Sequence, residues 1–548
     1  MALDYHQFVR DFTLESVEAE LDGSLRDGFN ACTECCTRHV RAGRGEHNAL
    51  TWLGVEGSEE TWTYADLDRA SAQVGDFLRS RGVVRGDVVA CMLPRIPELV
   101  AVALGTWRIG AVYQPLFTAF GHESIAYRLQ QAGAKLVVTS EAFRDRFDPI
   151  PDLPPVALVC KTPDAAARTG DLDFRRGVAA QGGECDPVTI GADERFLQMF
   201  TSGTVGNAKG VPLPIRALPA FQIYMRYAIG LREQDRFWNM ADPGWAYGLY
   251  YGVAGPLMLG AHGHFNEAGF DPEDTVRFLE RYRITNLASA PTAYRMLKSS
   301  GVCERLQPAL QLRCASSAGE PLNTEVIEWG RAALGCEVRD HYGQTEIGMV
   351  CCNHHALSHR VRTGGMGLPM PGFELAVADP DGRPVETGET GQLAVNVPRS
   401  PAHFFPGYST GAKDPMRGDY YLTGDVVAQE EDGTFVFAGR SDDIILTAGY
   451  RVGPTEVENT VLEHPAVAES AAVGRPDPER GEVIVSFVVL RDGFTPGPAL
   501  AREIQDLVRD RLSRHAFPRQ VEFVEALPKT PSGKIQRFKL RRIASGDT

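Results

Sequence analysis

A ten-residue segment of the chain combines the residue types that a phosphate-binding loop needs. Residues 201–210 read Thr-Ser-Gly-Thr-Val-Gly-Asn-Ala-Lys-Gly, with three glycines, three hydroxyl side chains and one lysine. Glycines let backbone N–H groups approach phosphate oxygens, hydroxyls donate hydrogen bonds, and an ammonium group neutralises charge. The common P-loop needs Ser or Thr after its lysine, whereas here Gly210 follows Lys209. The segment therefore predicts a phosphate-binding loop of another kind, and the alternative interpretation is an ordinary surface turn.

A second candidate for charge chemistry is a lysine near the end of the printed sequence. Lys534 closes the segment Pro531-Ser-Gly-Lys534, a turn that would project a long cationic side chain. A positioned ammonium group stabilises negative charge that develops in a transition state. The competing interpretation is a solvated lysine in a basic tail, because Lys539, Arg541 and Arg542 follow it.

Five more short motifs lie between these two segments. They are Ala241-Asp-Pro-Gly-Trp245, Gly319-Glu-Pro321, Tyr342-Gly-Gln-Thr-Glu346, Tyr421-Leu-Thr-Gly-Asp425 and the run from Gly439 to Arg451. Together with residues 201–210 and 528–534, this ordered set resembles the adenylate-forming (AMP-binding) superfamily of acyl-CoA synthetases, firefly luciferases and peptide-synthetase adenylation domains. Ala208 stands where that family usually has proline. The motifs look most like those of acetyl-CoA and medium-chain acyl-CoA synthetases, which implies ATP, Mg²⁺ and CoA as cofactors.

The resemblance implies a nucleotide site whose residue types suit their tasks. Asp425 would bind the two ribose hydroxyls through its carboxylate oxygens, and Arg440 would reach the same nucleotide. Thr204 and Glu346 would hold Mg²⁺, which prefers hard oxygen ligands, and both are implied as catalytic together with Lys534. The other nucleotide-binding positions implied are Thr201, Ser202, Gly203, Lys209, Gly319, Glu320, Pro321, Asp340, His341, Tyr342, Gly343, Gln344, Thr345 and Arg451.

Asp442 resembles the family's hinge, about which the C-terminal domain swings after adenylation. The swing would withdraw Lys534 and bring in Gly449 and Tyr450, which the resemblance implies in CoA binding. Gly449 would let the pantetheine arm pass close to the backbone. The competing interpretation of Asp442 and Asp443 is a solvated turn.

The resemblance implies an acyl pocket at Trp245 and Gly343. Members of this branch that are restricted to acetate carry a tryptophan immediately before Gln-Thr-Glu, where this sequence has Gly343. Replacing an indole by hydrogen would open on the order of a hundred Å³, and each methylene buried there is worth about 0.8 kcal/mol. We therefore expect a carboxylic acid larger than acetate, and linear, branched and aromatic acids all stay open. Tyr247 or Tyr251 could instead refill the space.

Several functions fit a chain with these motifs. The first is an ATP-dependent acid–thiol ligase that forms an acyl-AMP and then an acyl-CoA, releasing pyrophosphate and AMP. The second loads a carrier protein: we expect no fused carrier, because no carrier module follows Arg542 in the printed sequence, and a free-standing carrier stays open but is not favoured. An acetate- or propionate-specific synthetase is a third. A luciferase-like oxidative enzyme or a nucleotide-binding regulator would be expected to lack Lys534 or the hinge arrangement, and both are present here.

The elements that must position these residues change in type along the chain. Apolar β-rich runs alternate with helical stretches over much of the first 440 residues, which predicts an α/β fold with parallel sheets. Residues 369–437 show short strands broken by Gly, Pro and Asp, which predicts a small β-rich subdomain. We expect an N-terminal AMP-binding domain at 1–441 and a small mobile α+β domain that carries Lys534 at 442–548. The predicted helices are 63–81, 97–109, 122–132, 452–464 and 500–512, and the predicted strands are 87–93, 111–113, 135–139, 196–200, 466–473, 483–490 and 520–524.

Composition limits the class of protein. The 548 residues are 43% hydrophobic, which excludes a disordered or fibrous chain, and 71 acidic against 56 basic side chains give a net charge of −15. A field of that sign repels nucleic-acid phosphates and anionic lipid, so we expect neither as a partner. The sequence has no run of about 20 apolar residues and no basic start followed by an apolar stretch, so we expect no membrane span, no secretory signal and a cytoplasmic location. Two cysteine-rich stretches, 32–39 and 351–355, lack paired C-x₂-C spacing, so we expect buried or helix-surface thiols rather than zinc ligands.

Overall fold

The chain divides into two units. The structure, a computed structural model, describes residues 3–160, 170–201, 208–447, 450–478, 480–512, 516–529 and 535–546, with the backbone alone for Tyr450 and Arg451. The first unit comprises residues 1–361, 369–373 and 399–414, and the second comprises residues 362–368, 374–398 and 415–548. The second unit therefore joins most of the β-rich segment to the C-terminal residues. The hinge expected at Asp442 lies within it, and the boundary between residues 441 and 442 stays a prediction.

The first unit contains a sheet of seven described strands that is parallel except at one edge. At that edge Lys209–Pro214 pairs antiparallel with Arg195–Thr201. The other strands follow in the order Val112–Pro115, Val88–Met92, Ala134–Ser140, Val156–Val159 and Leu172–Asp173. Helices in this part of the chain are Tyr64–Ser80, Pro97–Arg108, His122–Ala132, Glu141–Arg144 and Phe174–Ala179. Two of these helices begin with common N-terminal signals. Thr63 and Asp66 form a capping box before the helix Tyr64–Ser80, and Pro97 occupies the first turn of Pro97–Arg108.

A second large sheet of the first unit carries three of the seven predicted motifs, at residues 241–245, 319–321 and 342–346. Its strands run in the order Gly348–Cys352, Val338–Gln344, Cys314–Ala318, Asn286–Ser289, Arg236–Asn239, His262–Asn266, Asn48–Leu53 and Glu59–Thr63. Pairing is parallel through the middle and antiparallel at the first and last of these pairs. Helices of this region include Leu218–Ile223, Ala246–Leu249, Gly255–Met258, Pro272–Arg281, Pro291–Ser300, Val302–Leu306 and Thr324–Trp329.

The second unit holds two smaller sheets. In the first, Leu375–Ala378, Thr390–Asn396 and Tyr420–Gln429 pair antiparallel, and Met416–Arg417 and Phe435–Arg440 both pair with Tyr420–Gln429. The second contains Tyr450–Val452, Ile445–Thr447, Gly481–Leu490, Val467–Asp477 and Gln520–Phe523. Its helices are Pro454–Leu462, Pro498–Arg511 and Arg537–Ser545. The first two helices share a core with the sheet that includes Val457, Val461, Ile484, Val488 and Ile504, whereas Leu540 of the third packs in a separate cluster.

The predicted fold class is confirmed. The parallel α/β sheets, the small β-rich sheet and the α+β C-terminal part all occur, and the predicted helices and strands are present with small shifts at their ends. Mobility of the C-terminal part stays a prediction. Over the described ranges, no helix combines the length and apolar character needed to cross a membrane.

Candidate active site

The predicted phosphate-binding loop is flanked by two paired strands. Thr201 ends the strand Arg195–Thr201, Lys209 begins the strand Lys209–Pro214, and the two residues are cross-strand partners. Ser202, Gly203 and Thr204 lie outside the described residues. The pairing holds the two ends of the loop next to each other, as a hairpin does.

Lys209, near the end of the predicted loop, is connected to the predicted Mg²⁺ ligand Glu346 through Tyr408. The Lys209 Nζ atom lies 5.0 Å from the centroid of the Tyr408 ring, a cation–π distance. The Tyr408 hydroxyl donates a hydrogen bond of 2.9 Å to Oε1 of Glu346, which is buried. The next residue, Ser409, donates from its backbone N–H to the carbonyl of Gly210 at 2.9 Å. Sequence reasoning missed Tyr408, because no motif or spacing marks it.

Two neighbouring parallel strands bring the predicted adenine-binding segments together. Cys314–Ala318 pairs with Val338–Gln344, so Gly319 and Tyr342 follow adjacent positions at the carboxyl edge of the sheet. Ligands of open α/β sheets bind at this edge. Gly319 has a φ of +98°, a conformation that favours glycine.

The carboxylate of Glu320 already has partners within the first unit. Thr292 Oγ1 lies 2.8 and 3.0 Å from its two oxygens, and Arg295 Nη2 donates to Oε2 at 2.6 Å. Both partners lie on the helix Pro291–Ser300, so the carboxylate anchors that helix to the segment after Ala318. A contact between Glu320 and a nucleotide would therefore come most simply from its backbone.

Asp340 and its strand neighbour present polar oxygens without hydrogen-bond partners. Oδ1 of Asp340 and Oγ of Ser317 are buried and have none among the described residues. Ser317 and Asp340 are register partners on the two parallel strands. Burial raises the pKa of Asp340 well above its ordinary value, although the backbone N–H groups of His341 and Leu322 oppose the rise.

His341 lies in a buried hydrogen-bond chain that fixes its tautomer. Its Nε2 lies 3.2 Å from the carbonyl oxygen of Asn353, which can only accept, so Nε2 carries the proton. Nδ1 then accepts from the Tyr224 hydroxyl at 2.8 Å, and Tyr224 accepts from the Tyr247 hydroxyl at 3.2 Å. Burial lowers the pKa of His341 to about 3. The imidazole is therefore neutral near pH 7.

The space directly next to Gly343 is occupied, and the acyl pocket expected there stays a prediction. An ideal Cβ on Gly343 would lie 2.2 Å from the backbone oxygen of Gly348 and 2.7 Å from Cα of Met349. The cause is a register irregularity between Tyr342 and Gly343, where Val338–Gln344 pairs with Gly348–Cys352. The paired strand fills the space that a side chain at residue 343 would need.

Tyrosines pack beside this strand, and the alternative that they refill an acyl pocket stays a prediction. The Tyr251 hydroxyl accepts from the backbone N–H of Met349 at 3.1 Å, and the rings of Tyr247 and Tyr251 lie 5.8 Å apart. The other predicted pocket residue, Trp245, packs its ring 5.2 Å from Phe117 and 5.5 Å from Phe120.

In the second unit, the predicted ribose and nucleotide contacts lie side by side. Asp425 and Arg440 are cross-strand partners, with Nη1 of Arg440 3.3 Å from Oδ1 of Asp425. The Asp425 side chain is buried, whereas that of Arg440 is 41% exposed. Nε of Arg440 also lies 3.3 Å from Oδ1 of Asp442. One guanidinium group thus contacts both the predicted ribose-binding residue and the predicted hinge residue.

The remaining predicted residues of the second unit are described in part or not at all. Tyr450 and Arg451 lie on the strand Tyr450–Val452, where they pair with Thr447 and Leu446. Gly449 and Lys534 lie outside the described residues, so their roles stay predictions.

Cysteines of the two cysteine-rich stretches are buried thiols. Cys32, Cys35, Cys36, Cys351 and Cys352 are all buried and form no disulfide. Burial raises the pKa of each of these thiols, which disfavours the thiolate that a metal would bind. Within the described part of the chain, no group of three or more His, Cys, Asp and Glu side chains is placed to hold a metal ion.

Comparison with known proteins identifies the family. The AMP-binding enzyme family matches residues 37–409, and the AMP-binding enzyme C-terminal domain matches residues 456–534. The chain belongs to the AMP-binding enzymes, as its motifs indicate. An acetyl-coenzyme A synthetase of Bacillus subtilis (strain 168) is 35% identical over 555 residues, covering 98% of this chain and 94% of its own.

Two solved structures are similar over almost the whole chain. The crystal structure of an acyl-CoA synthetase from Brucella canis is 49% identical, with a TM-score of 0.81 and 99% of each chain covered. The anthranilate CoA ligase AuaEII, solved in complex with anthranoyl-AMP, is 26% identical, with a TM-score of 0.85 and 95% of this chain and 99% of its own covered. Within its family, this chain belongs to the acyl-CoA synthetase branch, whose members are AMP-forming acid–thiol ligases.

Proposed function

We propose that this chain joins a carboxylic acid to CoA in two ATP-dependent half-reactions. In the first, a carboxylate oxygen attacks the α-phosphate of ATP, and the bond to pyrophosphate breaks to give an acyl-AMP. In the second, the CoA thiol loses its proton and attacks the acyl carbon, and AMP leaves. The proposal is carried by two contacts in a member of the AMP-binding family. Lys209, near the end of the predicted phosphate loop, faces the ring of Tyr408, and the Tyr408 hydroxyl donates to Glu346.

Glu346 and Thr204 would hold Mg²⁺ on the phosphates of ATP. Glu346 offers hard carboxylate oxygens, and the hydrogen bond from Tyr408 fixes the orientation of that carboxylate, so the donor set fits this ion. Bound Mg²⁺ would neutralise charge on the phosphates. Lys209 would add a second positive charge, and Lys534 would stabilise the charge that develops at the α-phosphate.

The nucleotide would be held through hydrogen bonds to its adenine and ribose groups. The amino group of adenine would donate to Asp340 Oδ1, which lacks a donor among the described residues at the carboxyl edge of the sheet. Asp425 would accept from the ribose hydroxyls, and Arg440 would orient its carboxylate. Gly449 and Tyr450 would contact CoA after a rotation at Asp442.

The proposal includes an acid larger than acetate. Because the paired strand fills the space at Gly343, support comes from the apolar rings of Trp245, Phe117 and Phe120, which offer a wall for carbons beyond the carboxyl group. The buried indole N–H of Trp245 has no acceptor among the described residues, so an acid with a second polar group could pair with it. The solved structure of the anthranilate CoA ligase AuaEII holds anthranoyl-AMP, the adenylate of an acid that has a second polar group.

A panel of acids tests the proposal step by step. Acid-dependent pyrophosphate exchange with acetate, butyrate, octanoate, benzoate and anthranilate measures the first half-reaction, and loss of the free CoA thiol measures the second. No exchange with any acid would contradict the adenylation step, and a preference for acetate would contradict the larger acid. Exchange without thiol loss, together with acylation of an added carrier protein, would replace CoA by a carrier as the acceptor.

We also propose a cytoplasmic location for this protein.

A further inference from the structure

Four charged side chains of the second unit form a largely buried cluster beside the predicted hinge. Arg541 donates from Nη2 to Oδ1 of Asp443 at 2.6 Å and from Nη1 to the backbone oxygen of Asp442 at 2.8 Å. Arg537 lies with Nη1 3.6 Å from Oδ2 of Asp443, and its Nη2 donates to both oxygens of Glu458 at 2.8 Å. We call Asp443, Glu458, Arg537 and Arg541 the hinge cluster.

The hinge cluster is balanced in charge, and its carboxylates are more deeply buried than Arg541, whose side chain is 34% exposed. Two guanidinium groups face two carboxylates, and the side chains of Asp443 and Glu458 are each only 10% exposed. Short charge-assisted hydrogen bonds of this kind are stronger than neutral ones, and salt screens them little when they are buried. The cluster therefore holds its members in one arrangement.

The hinge cluster joins separate parts of the C-terminal sequence. Asp443 follows the hinge residue directly, Glu458 lies on the helix Pro454–Leu462, and both arginines lie on the helix Arg537–Ser545. Glu458 also accepts from the backbone N–H of Ala472 at 2.8 Å. The first residue beyond the hinge is thus fixed to the last helix of the described chain.

The residues on both sides of the lysine-bearing segment are fixed to this same helix. Lys529 and Ile535 form an antiparallel bridge, and the backbone N–H of Gln536 donates to the carbonyl of Pro528 at 2.8 Å. Gln536 immediately precedes the helix Arg537–Ser545. Lys534 itself lies outside the described residues, but its described neighbours in sequence are tied to the helix that the hinge cluster holds.

We propose that the hinge cluster couples the hinge to Lys534. Arg537 and Arg541 would act as positioning residues: they make Asp443 and the final helix one rigid body, so that a rotation at Asp442 moves the lysine by a defined amount. The proposal rests on the proposed function, because it assumes that Lys534 serves adenylation and not thioester formation. A misplacement of a catalytic group by about 1 Å can cost on the order of a hundredfold in rate.

The test compares two neighbouring arginines of one helix. Arg541→Gln removes the contacts to Asp443 and Asp442, whereas Arg542→Gln changes an exposed residue next to it and serves as the matched control. Arg541→Gln is expected to lower pyrophosphate exchange by about tenfold or more, while thioester formation from the synthetic adenylate of the preferred acid changes little. Arg542→Gln should change neither rate. Arg541→Lys, which keeps the charge, should recover part of the loss.

A double-mutant cycle separates coupling from simple support of the fold. Asp443→Asn and Arg541→Gln remove the two sides of one ion pair, so the double variant should lose no more exchange than the worse single variant. Equal losses in both half-reactions, additive losses, or unchanged exchange in Arg541→Gln would each overturn the proposal. Lys534→Ala separates a failure of the proposed function from a failure of the coupling proposal. Undiminished pyrophosphate exchange in that variant would refute the role of Lys534 itself, whatever Arg541→Gln shows.

Discussion

Tyr408→Phe gives the sharpest test of the site, because it removes one hydroxyl group and leaves the ring. The lost contact is the 2.9 Å hydrogen bond to Glu346, whereas the ring that faces Lys209 at 5.0 Å is retained. A hydrogen bond to a charged group is worth about 1.5–3 kcal/mol. At about 1.4 kcal/mol for each factor of ten, we expect kcat/KM for ATP to fall by about 10- to 150-fold.

The assay is acid-dependent pyrophosphate exchange at limiting ATP, repeated over a range of Mg²⁺ concentrations. Because Glu346 is the proposed Mg²⁺ ligand, the variant should also need more Mg²⁺ for half-maximal rate. Tyr282→Phe is the matched control, since it removes another tyrosine–glutamate hydrogen bond, the 2.8 Å contact to Glu59, on a different part of the first unit. An unchanged kcat/KM in Tyr408→Phe, or an equal loss in Tyr282→Phe, would refute the link between Tyr408 and the phosphate site.

Four further changes test other parts of the site. Lys534→Ala is expected to lose most pyrophosphate exchange while thioester formation from a supplied adenylate continues, and undiminished exchange would contradict the assignment. Asp442→Pro should uncouple the two half-reactions, because proline locks φ and removes an N–H at the hinge; equal loss of both rates would argue against a hinge. Gly343→Ala should lower the free energy of unfolding by about 1–3 kcal/mol or more, because its Cβ would meet a backbone oxygen at 2.2 Å. Gly269→Ala, where a Cβ meets nothing within 4 Å, is the control in the same denaturant titration, and equal effects would refute the packing argument. His341→Gln tests pH dependence: burial lowers the pKa of His341 from 6.5 to about 3, so stability is lost as the pH falls from 6.5 towards 3, and the variant should flatten this slope by up to about 1.4 kcal/mol per pH unit. An unchanged slope of the unfolding free energy against pH in His341→Gln would contradict the lowered pKa of His341.

The sequence predicted the secondary structure well because local rules control it. The helix expected at 97–109 is observed as Pro97–Arg108, where proline occupies the first turn, and the strand expected at 87–93 is observed as Val88–Met92, buried at every residue. The motifs also indicated which residues share a function, and the structure places Asp425 beside Arg440. Their cross-strand pairing could not be derived from either motif alone.

The sequence could not predict contacts between distant segments. Tyr408 and Glu346 are 62 positions apart, and no periodicity connects them. The contacts next to Gly343 are an example, because a Cβ on this residue would meet backbone atoms of the paired strand. A shift in strand register decides what faces Gly343, and register depends on the partner strand, which one sequence segment does not specify.

The hydrogen-bond chain from Tyr247 through Tyr224 and His341 to Asn353 cannot relay protons. Its last acceptor is an amide carbonyl oxygen, which is too weak a base to hold a proton. With a pKa of about 3, the imidazole of His341 has no second protonation state to alternate with near neutral pH. The chain therefore supplies aligned dipoles and no acid or base.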